Sequence, residues 1–230
     1  MRRPLGIWIF VSVAVLIVGA AIYFEGQRRQ ALARVANELG FQFTAGQHPL
    51  PGALDGAGFY LFTQGPPLVQ NRMEGKRAGY QASIFDFSFA AEKGEEGSRD
   101  LPVADVGQVE NRMQTVAWLK RGGQVLPDFD LSPTRQVLRR VGARVALQPV
   151  TFEGRPDFDD RYLLFARDQV AIRRIFTPPV LDAWVTDPGW FLEGRGDQWL
   201  VYRLSERVPP REISAFLDRA IGLVQRLAIP

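Results

Sequence analysis

The sequence predicts an α+β fold: one or two antiparallel sheets with packing helices, preceded by a single N-terminal transmembrane helix. Three observations predict it. Leu5–Phe24 holds 20 residues without a charge. Several later segments, Gly79–Phe89 the clearest, are strand-like runs that place residues alternately on two faces. Pro210–Leu227 repeats its apolar residues at helical spacing.

At about 1.5 Å per residue, the uncharged run spans roughly 30 Å, the hydrocarbon thickness of a bilayer. Its flanks fit an anchor at residues 5–24. Arg2 and Arg3 precede it, Arg28 and Arg29 follow, and Trp8 and Tyr23 lie near its two ends, where amphipathic rings favour the interface. A buried core helix would carry a polar stripe. Ser12 alone is polar between Leu5 and Ala21. A cleaved signal peptide is the rival, since Val18-Gly19-Ala20 has the small-residue pattern of a cleavage site. The apolar run continues past it to full spanning length, which favours the uncleaved anchor. Lys and Arg on the two sides differ by about one, so the positive-inside rule leaves the orientation open.

The chain of 230 residues is formally +3. Residues 1–34 hold five Arg and one Glu, which leaves 23 basic and 24 acidic residues beyond them. The basic excess thus sits at the membrane flanks, where lipid phosphates can meet it. The remainder has no positive surplus for a nucleic acid. It is long and apolar enough to bury a sizeable core.

Gln27–Leu39 reads as a juxtamembrane helix within residues 25–40, with Ala31, Leu32, Val35, Ala36 and Leu39 on one face and Gly40 as its stop. The α+β body follows at 41–230. Phe41–Thr44 and Phe59–Phe62 read as short strands, with a Gly- and Pro-rich loop between them. Val69–Gly75 and Gly79–Phe89 form a hairpin. In the second strand Phe85, Phe87 and Phe89 take one face, and Tyr80, Ala82 and Ile84 the other, so both faces are covered. Glu92–Asp100 reads as an exposed loop. Val106–Arg121 reads as a long strand, which Leu126-Pro127 breaks. Two related lobes, 41–131 and 134–230, are suggested by short echoes: Arg135–Val141 repeats Arg29–Val35, and Leu192-Glu193-Gly194-Arg195 repeats Met73-Glu74-Gly75-Lys76. A helix is expected near 134–142, strands at 144–147 and 161–165, and helices at 168–176 and 180–185. A hairpin is expected about Gly194-Arg195-Gly196-Asp197. The last helix, Pro210–Leu227, aligns Ile213, Phe216, Leu217, Ala220, Leu223, Val224 and Leu227 on one stripe.

The inventory for chemistry is thin. There is no Cys and one His, His48, in a Gly/Pro-rich loop. A Ser-His-Asp or Cys-His nucleophile would need His48 as its base. No Gly-x-Ser-x-Gly or phosphate-binding Gly-rich loop occurs. His/Cys metal sites are excluded by composition. What remains is carboxylate: Asp157, Asp159 and Asp160 in PDFDDRY, Asp128 and Asp130 in PDFDLSP, and Asp86 in IFDFSF. Oxygen clusters suit hard cations, yet here turn and cap roles with Arg partners are the plainer account. Asp86, in so apolar a strand, must face water, pair with an Arg such as Arg112, or carry a shifted pKa. No catalytic or metal residue is assigned and no cofactor is expected.

Arg28–Ala33 after an N-terminal anchor, Asn71-Arg72-Met73-Glu74-Gly75, Ile84-Phe85-Asp86-Phe87, Leu126–Pro133 and Phe176-Thr177-Pro178 resemble an uncharacterised family of bacterial single-pass membrane-anchored proteins. The resemblance implies no activity and brings no catalytic residues.

The expectation is therefore a membrane-anchored, non-enzymatic protein of the bacterial envelope, single-pass in the inner membrane. Its partners would be the lipid bilayer and another protein, with no nucleic acid. The alternative is a tethered carboxylate-dependent hydrolase or metal-binding domain using Asp86, Asp157, Asp159 or Asp160, which convergent carboxylates would support. A third possibility is an exported protein freed of its first 20 residues.

Overall fold

A computed structural model describes residues 5–63, 65–89, 113–123, 126–134 and 147–227, and the backbone alone for residues 5–11 and Ala14. The expected loop at 92–100, the helix near 134–142, Arg2, Arg3 and Arg112 fall outside these residues, as do the side chain of Trp8 and strand residues 106–112 and 144–146.

The chain begins with one uninterrupted helix, α1 (Leu5–Leu39), 35 residues long. The segments expected as an anchor and a juxtamembrane helix are therefore one helix. Its residues 12–13 and 15–24 are exposed, whereas Leu32 and Ala36 are buried in the core. Among the described residues, no helix is long and apolar enough to cross a membrane. Much of the first half of the apolar run lies outside the described side chains.

Among the described residues nine strands follow: β1 (Gln42–His48), β2 (Pro67–Arg77), β3 (Tyr80–Phe89), β4 (Gln114–Lys120), β5 (Leu126–Pro133), β6 (Gln148–Val150), β7 (Tyr162–Ala166), β8 (Phe191–Gly196) and β9 (Gln198–Tyr202). They form one antiparallel sheet in the order β1-β2-β3-β4-β9-β8-β5-β7-β6. β5, which runs across the expected end of the first lobe at residue 131, lies between β8 and β7 of the second. Short helices α2 (Pro156–Asp159), α3 (Gln169–Ile175) and α4 (Pro178–Thr186) precede β8, and α5 (Ile213–Arg226) closes the chain.

Both faces of the sheet are covered, as the apolar pattern of β3 predicts. On one face Ala82, Ile84, Ala117, Leu119 and Val201 meet α1, α3, α4 and α5 through Leu32, Ile172, Trp184, Leu217 and Val224. On the other, Phe85, Phe87, Val116, Trp118, Leu200 and Tyr202 lie under Leu54, Phe59, Tyr60 and Leu61. These last residues correct two expectations. Tyr60–Thr63 is a 3₁₀ turn and not a strand, because four apolar residues suit any covering segment and carry no period of their own. β5 also runs through Pro127, where a break was expected. Its pairing with β8 shifts register between Leu126 and Phe129, and a bulge tolerates a residue that lacks an N–H.

Two glycines make room for rings. A Cβ at Gly75 would overlap the Phe41 ring, and one at Gly194 would overlap the Phe129 ring. The Glu-Gly echo seen in sequence thus recurs as a ring lying over a glycine of a neighbouring segment.

Candidate functional site

Asp86 lies near the C-terminal end of β3, on the face that carries Ile84, and is 2% exposed. A bare carboxylate there would be costly. Two arginines meet it. Arg28 of α1 binds in a fork, Nε to Oδ2 at 3.0 Å and Nη2 to Oδ1 at 2.7 Å, and its Nη1 donates to the Val208 carbonyl at 2.8 Å. Arg207, after β9, donates Nε and Nη2 to Oδ2 at 3.2 and 3.0 Å. Thr115 Oγ1 donates at 3.1 Å and Asn71 Nδ2 at 3.3 Å. Burial alone would raise the Asp86 pKa; the Arg28 bonds and the charges of Arg28 and Arg207 outweigh it and hold the carboxyl below its ordinary value.

The network then returns to α1. Glu25 accepts from Asn71 Nδ2 at 2.8 Å and from Arg207 Nη2 at 2.8 Å, and Arg29 lies 3.6 Å from it. Asn71 reaches both carboxylates because β2 bulges between Gln70 and Met73 and Asn71 takes φ +53°. Asn is among the few residues that adopt that left-handed conformation readily. Two positions of α1, Glu25 and Arg28, are thus tied to β2, β3 and the Arg207–Val208 segment.

A second network sits under the covering segment on the opposite face. Glu193 of β8, 2% exposed, accepts the backbone N–H groups of Tyr60 and Leu61 and the Tyr202 hydroxyl, the last at 3.0 Å. Arg195 donates to Asp130 Oδ1 at 2.6 Å and to the Gly58 and Phe129 carbonyls at 3.0 and 2.8 Å. Its guanidinium lies 4.0 Å from Glu193 and stands over the Phe59 ring at 5.7 Å. Burial, reinforced by the Asp130 charge, pushes Glu193 up to about 7.

The sequence-derived candidates do not converge. Asp157 pairs with Arg155 at 2.9 Å on the surface, and that bond lowers its pKa. Asp159 accepts the Phe152 N–H at 3.1 Å, and Asp160 ends α2. Asp128 meets Arg167 at 3.2 Å. Five strand spacings, about 24 Å, separate β3 from β7, the strand that follows α2. Among the described residues, no three His, Cys, Asp or Glu side chains are grouped to hold a metal ion. Of the expected anchor flanks, Arg28 turns inward to Asp86, while Tyr23 stays exposed and accepts from Gln27 Nε2 at 3.2 Å.

Sequence reasoning singled out Asp86 but not its partners. Arg28 and Arg207 lie 58 and 121 residues from it, and no local pattern joins them. Glu193 was legible by the rule that found Asp86: a carboxylate set among the apolar residues of a central strand.

No protein-family model and no curated protein matches the chain. Among solved structures it resembles the crystal structure of the mycobacterial trehalose monomycolate transport factor A, TtfA. The likeness covers 90% of this chain and 97% of that one, at 14% identity and a TM-score of 0.55. At that identity the likeness concerns the fold alone: α+β, with a nine-stranded antiparallel sheet here.

Proposed function

We propose that this chain is a membrane-anchored, non-enzymatic protein of the bacterial envelope, held in the inner membrane by residues 5–24, whose body serves as a platform for a protein partner. The observation that carries this reading is the joint between helix and body. Glu25 and Arg28 of α1 enter the buried network around Asp86, one turn beyond an exposed apolar stretch that includes Leu16, Ile17, Ile22 and Phe24. A body fixed to its anchor in this way is presented at a set height and angle. The fold's likeness to the mycobacterial trehalose monomycolate transport factor A supports a role in the envelope.

A carboxylate-dependent hydrolase or metal-binding domain would need Asp86, Asp157, Asp159 and Asp160 to gather. Asp86 lies on β3, whereas the other three lie in α2 or at its end with separate partners, which leaves that alternative without a site among the described residues.

The test is fractionation followed by crosslinking of the full-length protein in intact membranes. The expected result is recovery in the detergent-extracted fraction with residue 1 retained, and a discrete crosslinked partner that is lost when surface residues of the body are changed. Full-length protein in the detergent-free soluble fraction refutes the anchored reading. A reporter fused at the C-terminus fixes the side on which the body lies.

A further inference from the structure

Among the described residues, the large side chains at the margin of the apolar layer beneath the covering segment gather at one end of the sheet. Four of its large residues are just partly buried: Leu50, Phe62, Phe89 and Leu204. Strand register places Leu50, Phe89 and Leu204 together, and a ring contact with Phe87 adds Phe62. Phe89 pairs with Pro67 at the start of β2, and Phe87 pairs with Gln114 at the start of β4. His48 pairs with Val69, so Leu50 lies just past that end. The Ser205 N–H donates to Gln114 Oε1 at 3.0 Å, which brings Leu204 to the same edge. A chain of rings runs inward from it, Phe89 to Phe87 at 5.0 Å, Phe87 to Phe62 at 5.3 Å and Phe62 to Phe59 at 6.1 Å.

α1 leaves the body toward this edge. Glu25 meets Asn71, and Phe41, just after the helix, lies over Gly75. The helix therefore runs in the same sense as β2, and its N-terminal continuation heads for the end marked by Pro67 and Phe89. Phe89 lies three residues beyond Asp86, about 10 Å along the strand. Asp86 is the level at which Arg28 is held, four residues from the last residue of the uncharged run, Phe24.

We propose that this rim of Leu50, Phe62, Phe89 and Leu204 is a lipid-contact surface, resting in the headgroup region of the bilayer that holds α1. The proposal rests on the anchored reading of residues 5–24 and adds which end of the body meets the lipid. The ring chain gives the rim a stiff apolar footing, the kind of surface that favours a membrane interface over water.

The chain has no cysteine, so single labels can be placed at will. Phe62→Cys, Phe89→Cys and Leu204→Cys, each carrying nitrobenzoxadiazole, are to be compared with Gln81→Cys at the opposite end of β3 and Val15→Cys in α1. Full-length protein is reconstituted into phosphatidylcholine–phosphatidylglycerol vesicles containing lipid with a doxyl quencher near the headgroup, for the body positions, or at mid-chain, for Val15→Cys. The rim positions are expected to be quenched at least threefold more than Gln81→Cys. Rim labels no more quenched than Gln81→Cys, while Val15→Cys is quenched, overturn the proposal and leave the anchor standing. An unquenched Val15→Cys refutes the anchor and the rim together. Leu50→Cys, at the periphery of the cluster, supplies a further rim position should a phenylalanine variant misfold.

Discussion

Removing the Asp86 carboxylate should loosen α1 from the body, and the cost can be worked from its partners. Asp86→Ala leaves Arg28, whose side chain is 11% exposed, without its fork. Breaking one side of a buried ion pair costs about 3–5 kcal/mol. Arg207 is 28% exposed and keeps Glu25, so its share is small. The expected loss is about 3–4 kcal/mol for Asp86→Ala and roughly half of that for Asp86→Asn, whose amide oxygen still accepts from Arg28. Urea unfolding of the full-length protein in detergent measures it. A double-mutant cycle with Arg28→Ala should show coupling of about 2 kcal/mol. The pH dependence has a fixed sign. The folded pKa of Asp86 lies below its ordinary value of 3.8, so its contribution is full above that value and is lost as pH falls through the folded pKa. A loss under about 1 kcal/mol for Asp86→Ala, or coupling near zero, would refute the claim that this carboxylate binds the helix to the sheet.

Three further outcomes follow from the packing. Gly194→Ala should destabilise by about 1–3 kcal/mol in the same urea assay, because the new methyl enters the space of the buried Phe129 ring; a Phe129→Leu background should recover part of the loss. Glu193, with a folded pKa near 7 against an ordinary 4.5, favours the fold in its protonated form. Its contribution is full below about 4.5, is lost as pH rises to about 7, and amounts to at most about 3 kcal/mol; Glu193→Gln should flatten the unfolding midpoint across that window. Asp168→Ala should cost about 1 kcal/mol by thermal melting, since its carboxylate caps α3 by accepting the Val170 and Ala171 N–H groups at 3.0 and 2.9 Å.

Elements whose signal is local were legible. Alternation assigns the two faces of β3, and the structure puts Ala82 and Ile84 on one side and Phe85 and Phe87 on the other. The C-terminal helix follows from the spacing of its apolar residues. What depends on remote pairing was not legible. Nothing near Leu126 shows that β5 lies between β8 and β7, and nothing near Asp86 points to residues 28 and 207. Phe59–Phe62 failed for a related reason: a run of four apolar residues says that a segment is buried and leaves its backbone undetermined. Arg28 looked like a headgroup contact because a charge beside an apolar helix has two uses, and only the fold decides between them.

The unbroken course of α1 turns the molecule into a lever. No proline interrupts residues 5–39, and the Asp86 network clamps the shaft to one side of the sheet. Eight strand spacings separate β1 from β6, about 38 Å before twist. Leaning the shaft by about 20°, an ordinary inclination for a helix in lipid, would carry the distal strand through roughly 13 Å. If residues 5–24 lie in lipid as proposed, a change in film thickness that tilts α1 displaces β6 more than any other strand.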